Sequence, residues 1–321
     1  MADAPWRLVP PVSEGRFSAP AVTPRAAARR ERRGKRSDEV AFKYMMLAPA
    51  VLWVIGLTLF PLLEVVRYSF ANYILGRGIT RYVGFANYTA VLHSARFWHS
   101  ILVTVIYVTG TLPIEVVLGL LLAWVINLGA PGTRFFRALI TSPLFTMEVA
   151  IGYLGITLFS AQGGLVTSLL GLVGISVPWL STASGGLGAA MILEVWRWTP
   201  FVFLLALAGL AAIPEELYDA ALLDCETHWQ VLRHIAIPLV WPVMTVAILF
   251  RLIEGFKAFG LPFVITGGGP GTSTQLFSIY NYLTTILFFD FGSGSAMGVI
   301  VLAMIAVLIA LFFRQMRRRL T

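Results

Sequence analysis

Residues 213–239 read IPEELYDAALLDCETHWQVLRHIAIPL. This stretch is too polar to cross a bilayer and too rich in helix formers to be a slack loop. Pro214 suits a first helical position, and Glu215 and Glu216 favour the positive end of a helix dipole. Leu217, Ala220, Ala221 and Leu223 give a first short helix an apolar stripe. Trp229, Leu232 and Ile235 mark a second, which Pro238 is expected to end. Asp224-Cys225 is the expected bend. The polar face carries Glu215, Glu216, Asp219, Asp224 and Glu226 against Arg233. Anionic lipid would repel such a face, so the pair is expected to dock on a protein cleft of basic or mixed charge.

Apolar sequence lies on both sides of this stretch. Of 321 residues, 58% are hydrophobic and only 12% are charged, and the mean hydropathy is +0.80. A soluble fold cannot bury that much apolar surface and still cover itself with polar groups. Six segments approach the roughly 20 residues that a bilayer helix needs: 45–68, 100–127, 136–160, 188–212, 240–265 and 295–315. No strand alternation accompanies them, so the expected class is an all-α polytopic membrane protein with six transmembrane helices. Residues 1–43 are expected to form a basic, mostly disordered tail, 44–316 the transmembrane domain, and 317–321 a basic end.

The charge pattern gives the expected orientation. Ten Lys and Arg fall in residues 1–43, and Arg314, Arg317, Arg318 and Arg319 close the chain. With Arg134 and Arg137 they mark one side as cytoplasmic, together with both termini and the 213–239 loop. Connections 161–187 and 266–294 have no Lys or Arg and are expected outside. Arg77, Arg81 and Arg96 in the first outer loop break the bias. The net charge of +8 sits mainly at the ends, so it is no nucleic-acid footprint. A cleaved secretory signal is disfavoured, because the first apolar run is too long and lacks a clear A-x-A site.

Motifs for chemistry are few. The single cysteine excludes an intramolecular disulfide, and the four histidines show no HExxH spacing. The pair Gly34-Lys35 lacks the rest of a phosphate loop, so ATP binding of that kind is not expected here. No GxSxG context supports an intramembrane hydrolase. Gly267 to Gly271 reads as a turn, and His228 and His234 read as surface or docking residues. Asn87-Tyr88-Thr89 in the first outer loop matches a glycosylation sequon, which would carry no meaning if the source were bacterial.

Asp219-Ala220-Ala221, Cys225, and Ile235, Ile237 and Pro238 together resemble the EAA loop of ABC importer permeases. The spacing matches throughout. Asp219 stands in place of Glu, Cys225 of Gly, and Ile237 of Leu. Further stretches are similar to the carbohydrate branch, the maltose and glycerol-phosphate type permeases. They are Phe60-Pro61-Leu62, the run from Gly84 to Tyr88, the run from Trp196 to Phe201, the run from Thr266 to Gly271, and Phe289 to Gly292. The resemblance covers about residues 43–316. It implies a type I importer permease in the bacterial cytoplasmic (inner) membrane, with no catalysis in this chain. The implied partners are a second homologous permease, two ATP-binding subunits carrying ATP and Mg, an extracytoplasmic solute-binding protein, and membrane lipid. The loop residues Glu215, Glu216, Asp219, Ala220, Ala221, Asp224, Cys225 and Trp229 are then expected to couple the permease to the ATPases.

Charges inside the spans supply the candidate substrate site. A charge at bilayer depth costs about 2.5–3.5 kcal/mol on insertion scales, so it faces a cavity or a partner. Glu194 and Arg197 are three apart, as are Arg251, Glu254 and Lys257, and three apart is one helical face. Glu148 and Glu115 add carboxylates. One reading is ion pairing that holds the bundle together, and it applies most to Glu115. The other is a polar midplane pocket for a sugar or polyol, whose hydroxyls both donate and accept. The resemblance places Glu148, Glu194, Arg197, Trp198, Phe201, Arg251, Glu254 and Ala258 at or beside lining positions. The alternative function is a gradient-driven secondary transporter with the buried carboxylates as ion sites, although no repeat relates the two halves.

Overall fold

A computed structural model describes residues 24–74, 76–129, 132–218 and 227–320, with side chains described from 42 to 314. The chain divides into two compact units, Met1–Leu63 and Glu64–Thr321. The first consists of most of helix α1, Pro24–Ser69. That helix starts inside the stretch read from sequence as a tail, where Ala, Arg and Glu are all good helix formers. Its part Phe42–Ser69 is 28 residues long with a mean hydropathy of 2.2, enough to cross a bilayer.

The second unit opens with a hairpin that the sequence reading did not anticipate. Strands β1 (Ala71–Ile74) and β2 (Gly78–Tyr82) pair antiparallel. Gly76 and Gly78 turn the chain with φ of 88° and 69°, a region open to glycine. Helices α2 (Ala86–His93) and α3 (Ala95–Asn127) follow, and the Ser94 hydroxyl caps α3 by accepting from the Phe97 amide. The long helices α7 (Ala183–Ala211) and α8 (His228–Lys257) and the final α11 (Phe291–Leu320) complete the set of long spans. Between them lie the shorter α4 (Thr133–Thr141), α5 (Glu148–Leu158), α6 (Leu165–Leu172), α9 (Gly260–Thr266) and α10 (Phe277–Tyr282).

Five helices among the described residues are long and apolar enough to span, and the count is six where the one bent pair is taken as a single span. That pair corrects the expectation of one straight span over 136–160. Thr133–Phe145 and Glu148–Leu158 meet at 100°. Pro143 enters a 3-10 turn at Ser142–Phe145, and Thr146 and Met147 are extended, so the ladder is interrupted there. A second correction concerns Pro238. It does not end a helix. A π turn over Leu232–Ala236 carries the backbone past the proline into the span, so the second half of the 213–239 loop is the beginning of α8. Pro214 likewise precedes the helical residues 215–218 and does not open them.

Glycines set how closely the helices approach. A Cβ on Gly119 of α3 would sit 2.8 Å from the Val202 side chain and 2.9 Å from the Phe203 amide nitrogen of α7. Gly110 faces Met191 in the same way, so α3 and α7 run parallel. Gly209 of α7 meets Val240, and Gly255 of α8 meets Val108, so α8 runs antiparallel to both. Close approach of this kind drives helix association in lipid, where hydrophobic burial cannot. Three apolar clusters result. Trp124, Phe203, Leu232 and Met244 fill the end near Ile213 and Val231. Tyr107, Ile151, Leu193 and Leu261 fill the middle, and Phe97, Phe277 and Met297 fill the hairpin end.

Candidate functional site

Between the first two clusters, three charges meet inside the bundle. Arg251 of α8 points across the bundle to α3 and α7. Its Nε and Nη2 donate to Glu115 Oε2 and Oε1 at 2.7 and 2.8 Å, a bidentate fork. The same Nη2 donates to Glu194 Oε1 at 3.2 Å. All three side chains are at most 2% exposed. The Trp198 ring lies 4.2 Å from Arg251 Cζ, a desolvated cation–π contact. Phe201 and Phe250 continue the aromatic face, at 5.7 Å from Trp198 and 4.9 Å from each other respectively.

Two carboxylates share one guanidinium, and the sharing is incomplete. Glu194 Oε2, Arg251 Nη1 and the Tyr107 hydroxyl are buried without a hydrogen-bond partner among the described residues. One is an acceptor, one a donor, and the third can be either. Glu194, Arg251, Glu148 and Glu115 all act electrostatically on the Tyr107 hydroxyl, which places these groups in one neighbourhood. An unpaired buried polar atom ordinarily costs about 1–3 kcal/mol, so three together mark a site with hydrogen-bonding capacity to spare.

The structure gathers part of the expected substrate set. Glu194, Trp198, Phe201 and Arg251 come together. Arg197 does not pair with Glu194; its guanidinium lies 5.0 Å from the Trp198 ring. Glu254 is held by Lys257 at 2.8 Å on the rim of α8. Ala258 ends α8 and its carbonyl accepts from the Ser278 hydroxyl. Glu148 starts α5 and its carboxyl abuts Gly260, where a Cβ would come within 3.2 Å. Glu115 was missing from the expected set. It lies 136 residues before its partner, and no local spacing signals that pairing.

At the opposite end from the hairpin, Glu215 and Glu216 lead the helical residues 215–218, exposed. Trp229 is 58% exposed. Thr227 and Gln230 form a capping box that fixes the start of α8. A cleft of about 410 Å³ lies there, lined by Trp124, Asn127, Glu215, Tyr218 and His228. The Tyr218 hydroxyl donates to the Leu210 carbonyl at 3.2 Å and accepts from Asn127 Nδ2 at 3.4 Å. Burial raises the Tyr218 phenol above its ordinary value, and the Asn127 bond opposes that rise. Asp219, Ala220, Ala221, Asp224 and Cys225 lie outside the described residues.

Comparison with known proteins gives the family and the fold. The family model described as "Binding-protein-dependent transport system inner membrane component" matches residues 82–321. The chain is 32% identical to the trehalose/maltose transport system permease protein MalF of Thermococcus litoralis, over 83% of this chain and 90% of that protein. It is 31% identical to the sulfoquinovosyl glycerol transport system permease protein SmoG of Agrobacterium fabrum, over 86% and 90% respectively. Among solved structures, a bacterial alginate ABC transporter in complex with its alginate-pentasaccharide-bound periplasmic protein shares the fold. The TM-score is 0.77 at 21% identity, over 88% of this chain and 96% of that one.

Proposed function

The chain belongs to the binding-protein-dependent transport system inner membrane component family, and from that premise we propose that this permease subunit carries a carbohydrate into the cell. One observation carries the cargo class: the named cargoes of the relatives reported above are glycosides. The buried site supports it. Glu194, Arg251 and Tyr107 keep one acceptor, one donor and one hydroxyl without partners among the described residues, the mixture that a polyhydroxylated ligand satisfies. Trp198 and Phe201 supply apolar faces for the sugar ring. Glu148, Arg197, Glu254 and Ala258 surround that centre as outer lining. A second permease completes the pathway, and both termini and residues 213–239 face the cytoplasm. Two ATPase subunits with ATP and Mg seat the acidic 215–226 segment, and a solute-binding protein delivers ligand at the hairpin end. When the ATPases close, the segment moves the start of α8, and α8 carries Arg251 relative to Glu115 and Glu194. The site then opens to the delivered sugar and releases it inward after hydrolysis.

The test is uptake by the whole complex in proteoliposomes. With the binding protein outside and ATP inside, uptake of a labelled disaccharide or glycoside is expected to follow ATP hydrolysis and to persist when an uncoupler removes the ion gradient. Uptake that collapses with the gradient and ignores ATP would overturn the importer reading. It would then assign the buried carboxylates to ion transport.

A further inference from the structure

Arg77 and Arg81 stand against the charge bias of the sequence. Both are exposed, and among the described residues neither side chain makes an ion pair or hydrogen bond. The charges around them are engaged. Arg67 donates to the Tyr82 hydroxyl at 3.0 Å and pairs with Glu64 at 3.3 Å. Arg96 donates to Gln275 at 2.8 Å and covers the Tyr280 ring. Asp290 accepts from the Ser293 amide at 3.0 Å. Segment 267–289, which leads back to the hairpin, holds no charged residue. Two cations are thus left for a ligand outside the chain, and an anionic group complements them.

The hairpin holds these cations level with the ends of two spans. Helix α1 stops at Ser69, and β1 starts two residues later. Ile74, the last residue of β1, bridges Asp290, and α11 starts at the next residue. A Cβ on Gly292 would collide with the Ala71 carbonyl oxygen and come within 3.3 Å of the Tyr73 nitrogen. So β1 lies alongside Asp290 to Gly292 and stays level with the first turn of α11. Asn87 Nδ2 fastens it there by donating to the carbonyls of Ser69 and Ala71, both at 2.9 Å. Exposed aromatic rings share this level. Tyr82 ends β2 and Phe85 follows it, while Phe288 and Phe289 precede α11. Exposed aromatics at span ends mark the headgroup level of a bilayer. Arg81 pairs in register with Asn72, so it shares the face opposite Ala71, which is buried, and Tyr73, which meets Phe291. A guanidinium held at that depth can offer a phosphate two N–H donors at once.

We propose that the β1–β2 hairpin is a binding site for anionic phospholipid in the leaflet on its side of the membrane, with Arg77 and Arg81 holding headgroup phosphates. The test places a fluorophore on the hairpin of the complete complex, through Asn72→Cys in a Cys225→Ser background. Asn72 is exposed and lies opposite Arg81. Nanodiscs of phosphatidylcholine carry either brominated phosphatidylglycerol or brominated phosphatidylcholine at equal mole fraction, with bromine near the headgroup end of the chains. With both arginines present, the anionic lipid is expected to quench about twofold or more above the zwitterionic one. In Arg77→Gln/Arg81→Gln that ratio is expected to fall to about one, and in Arg77→Lys/Arg81→Lys, which keeps the charge, to persist. Equal quenching by the two lipids with both arginines present would overturn the proposal. An anionic preference that survives Arg77→Gln/Arg81→Gln would overturn it by moving the site to other groups. Quenching by neither lipid would place the hairpin clear of the bilayer, leave the arginines to a soluble partner, and overturn it as well. The readout uses neither ATP nor a binding protein, so its failure leaves the importer reading intact.

Discussion

Arg251→Met is expected to destabilise the folded permease by about 3–5 kcal/mol, the cost of breaking a buried ion pair on one side. The guanidinium is 1% exposed and holds Glu115 by two hydrogen bonds and Glu194 by one. Without it, two carboxylates face each other in a space sealed from water. They come from different helices, so relief requires that one carboxylate take up a proton or that α3 separate from α7, whose glycine contacts hold them close. Methionine fills a similar volume, which confines the loss to charge. The triple variant Glu115→Leu/Arg251→Met/Glu194→Leu removes the whole charged group and is expected to recover the fold, since replacing a complete buried triad is often neutral or stabilising. Detergent melting followed by size-exclusion profiles reads both. The triple variant separates two roles. If the triad binds cargo, the recovered complex still loses cargo-dependent ATPase and uptake. Full transport by a recovered triple variant would leave the charges as a brace between spans.

Glu215→Lys/Glu216→Lys is expected to cut coupled transport about tenfold or more and to leave melting within about 0.5 kcal/mol of the unmodified protein. Both carboxylates are exposed at the start of the helical residues 215–218, and no ion pair between them and another described residue is seen. Their removal therefore costs the isolated fold little. The loss arises where a basic or mixed-charge partner cleft meets two lysines in place of two carboxylates, a change of four charge units. The measurement is uptake and ATPase stimulation in the same preparation. Stimulation without uptake, or neither, fits a coupling role. Unchanged uptake would remove Glu215 and Glu216 from it and leave Asp219 and its neighbours as the remaining candidates.

Much of the architecture was legible because a bilayer imposes one strong constraint. Apolar runs near bilayer length had to be helices, and spans over 100–127, 188–212, 240–265 and 295–315 correspond to α3, α7, α8 with α9, and α11. The polar helix-forming run at 213–239 announced itself by interrupting that pattern. Three features were not legible. The 100° bend near Pro143 leaves hydropathy unchanged, since a broken and a straight span expose the same apolar residues. The π turn before Pro238 is a local solution to a steric conflict that reads, in sequence, as a stop. The hairpin had only Gly76-Arg77-Gly78 to signal it, between strands too short for alternation to show.

The candidate site divides along the same line. Spacing brought Glu194 and Arg251 forward as intramembrane charges, each with a neighbour three residues away. Those neighbours are not their partners. Arg251 turns from Glu254 toward Glu115 and Glu194, because the interior-facing side of α8 is the side that needs charge neutralised. Glu254 and Lys257 lie at the rim, where water tolerates them, and pair along the helix. Periodicity identifies a helical face, but only the crossing of α3 and α8 identifies what that face meets.

The central claim is that this chain works as one membrane subunit of an ATP-driven importer, and the most direct measurement is its company. The tagged chain, extracted from its own membranes in mild detergent and eluted by affinity, is predicted to bring with it a second permease of the same family and an ATPase. Peptide mass spectrometry identifies both, and the eluate hydrolyses ATP. A well-folded chain recovered without an ATPase, at mild salt and in more than one detergent, would contradict the claim.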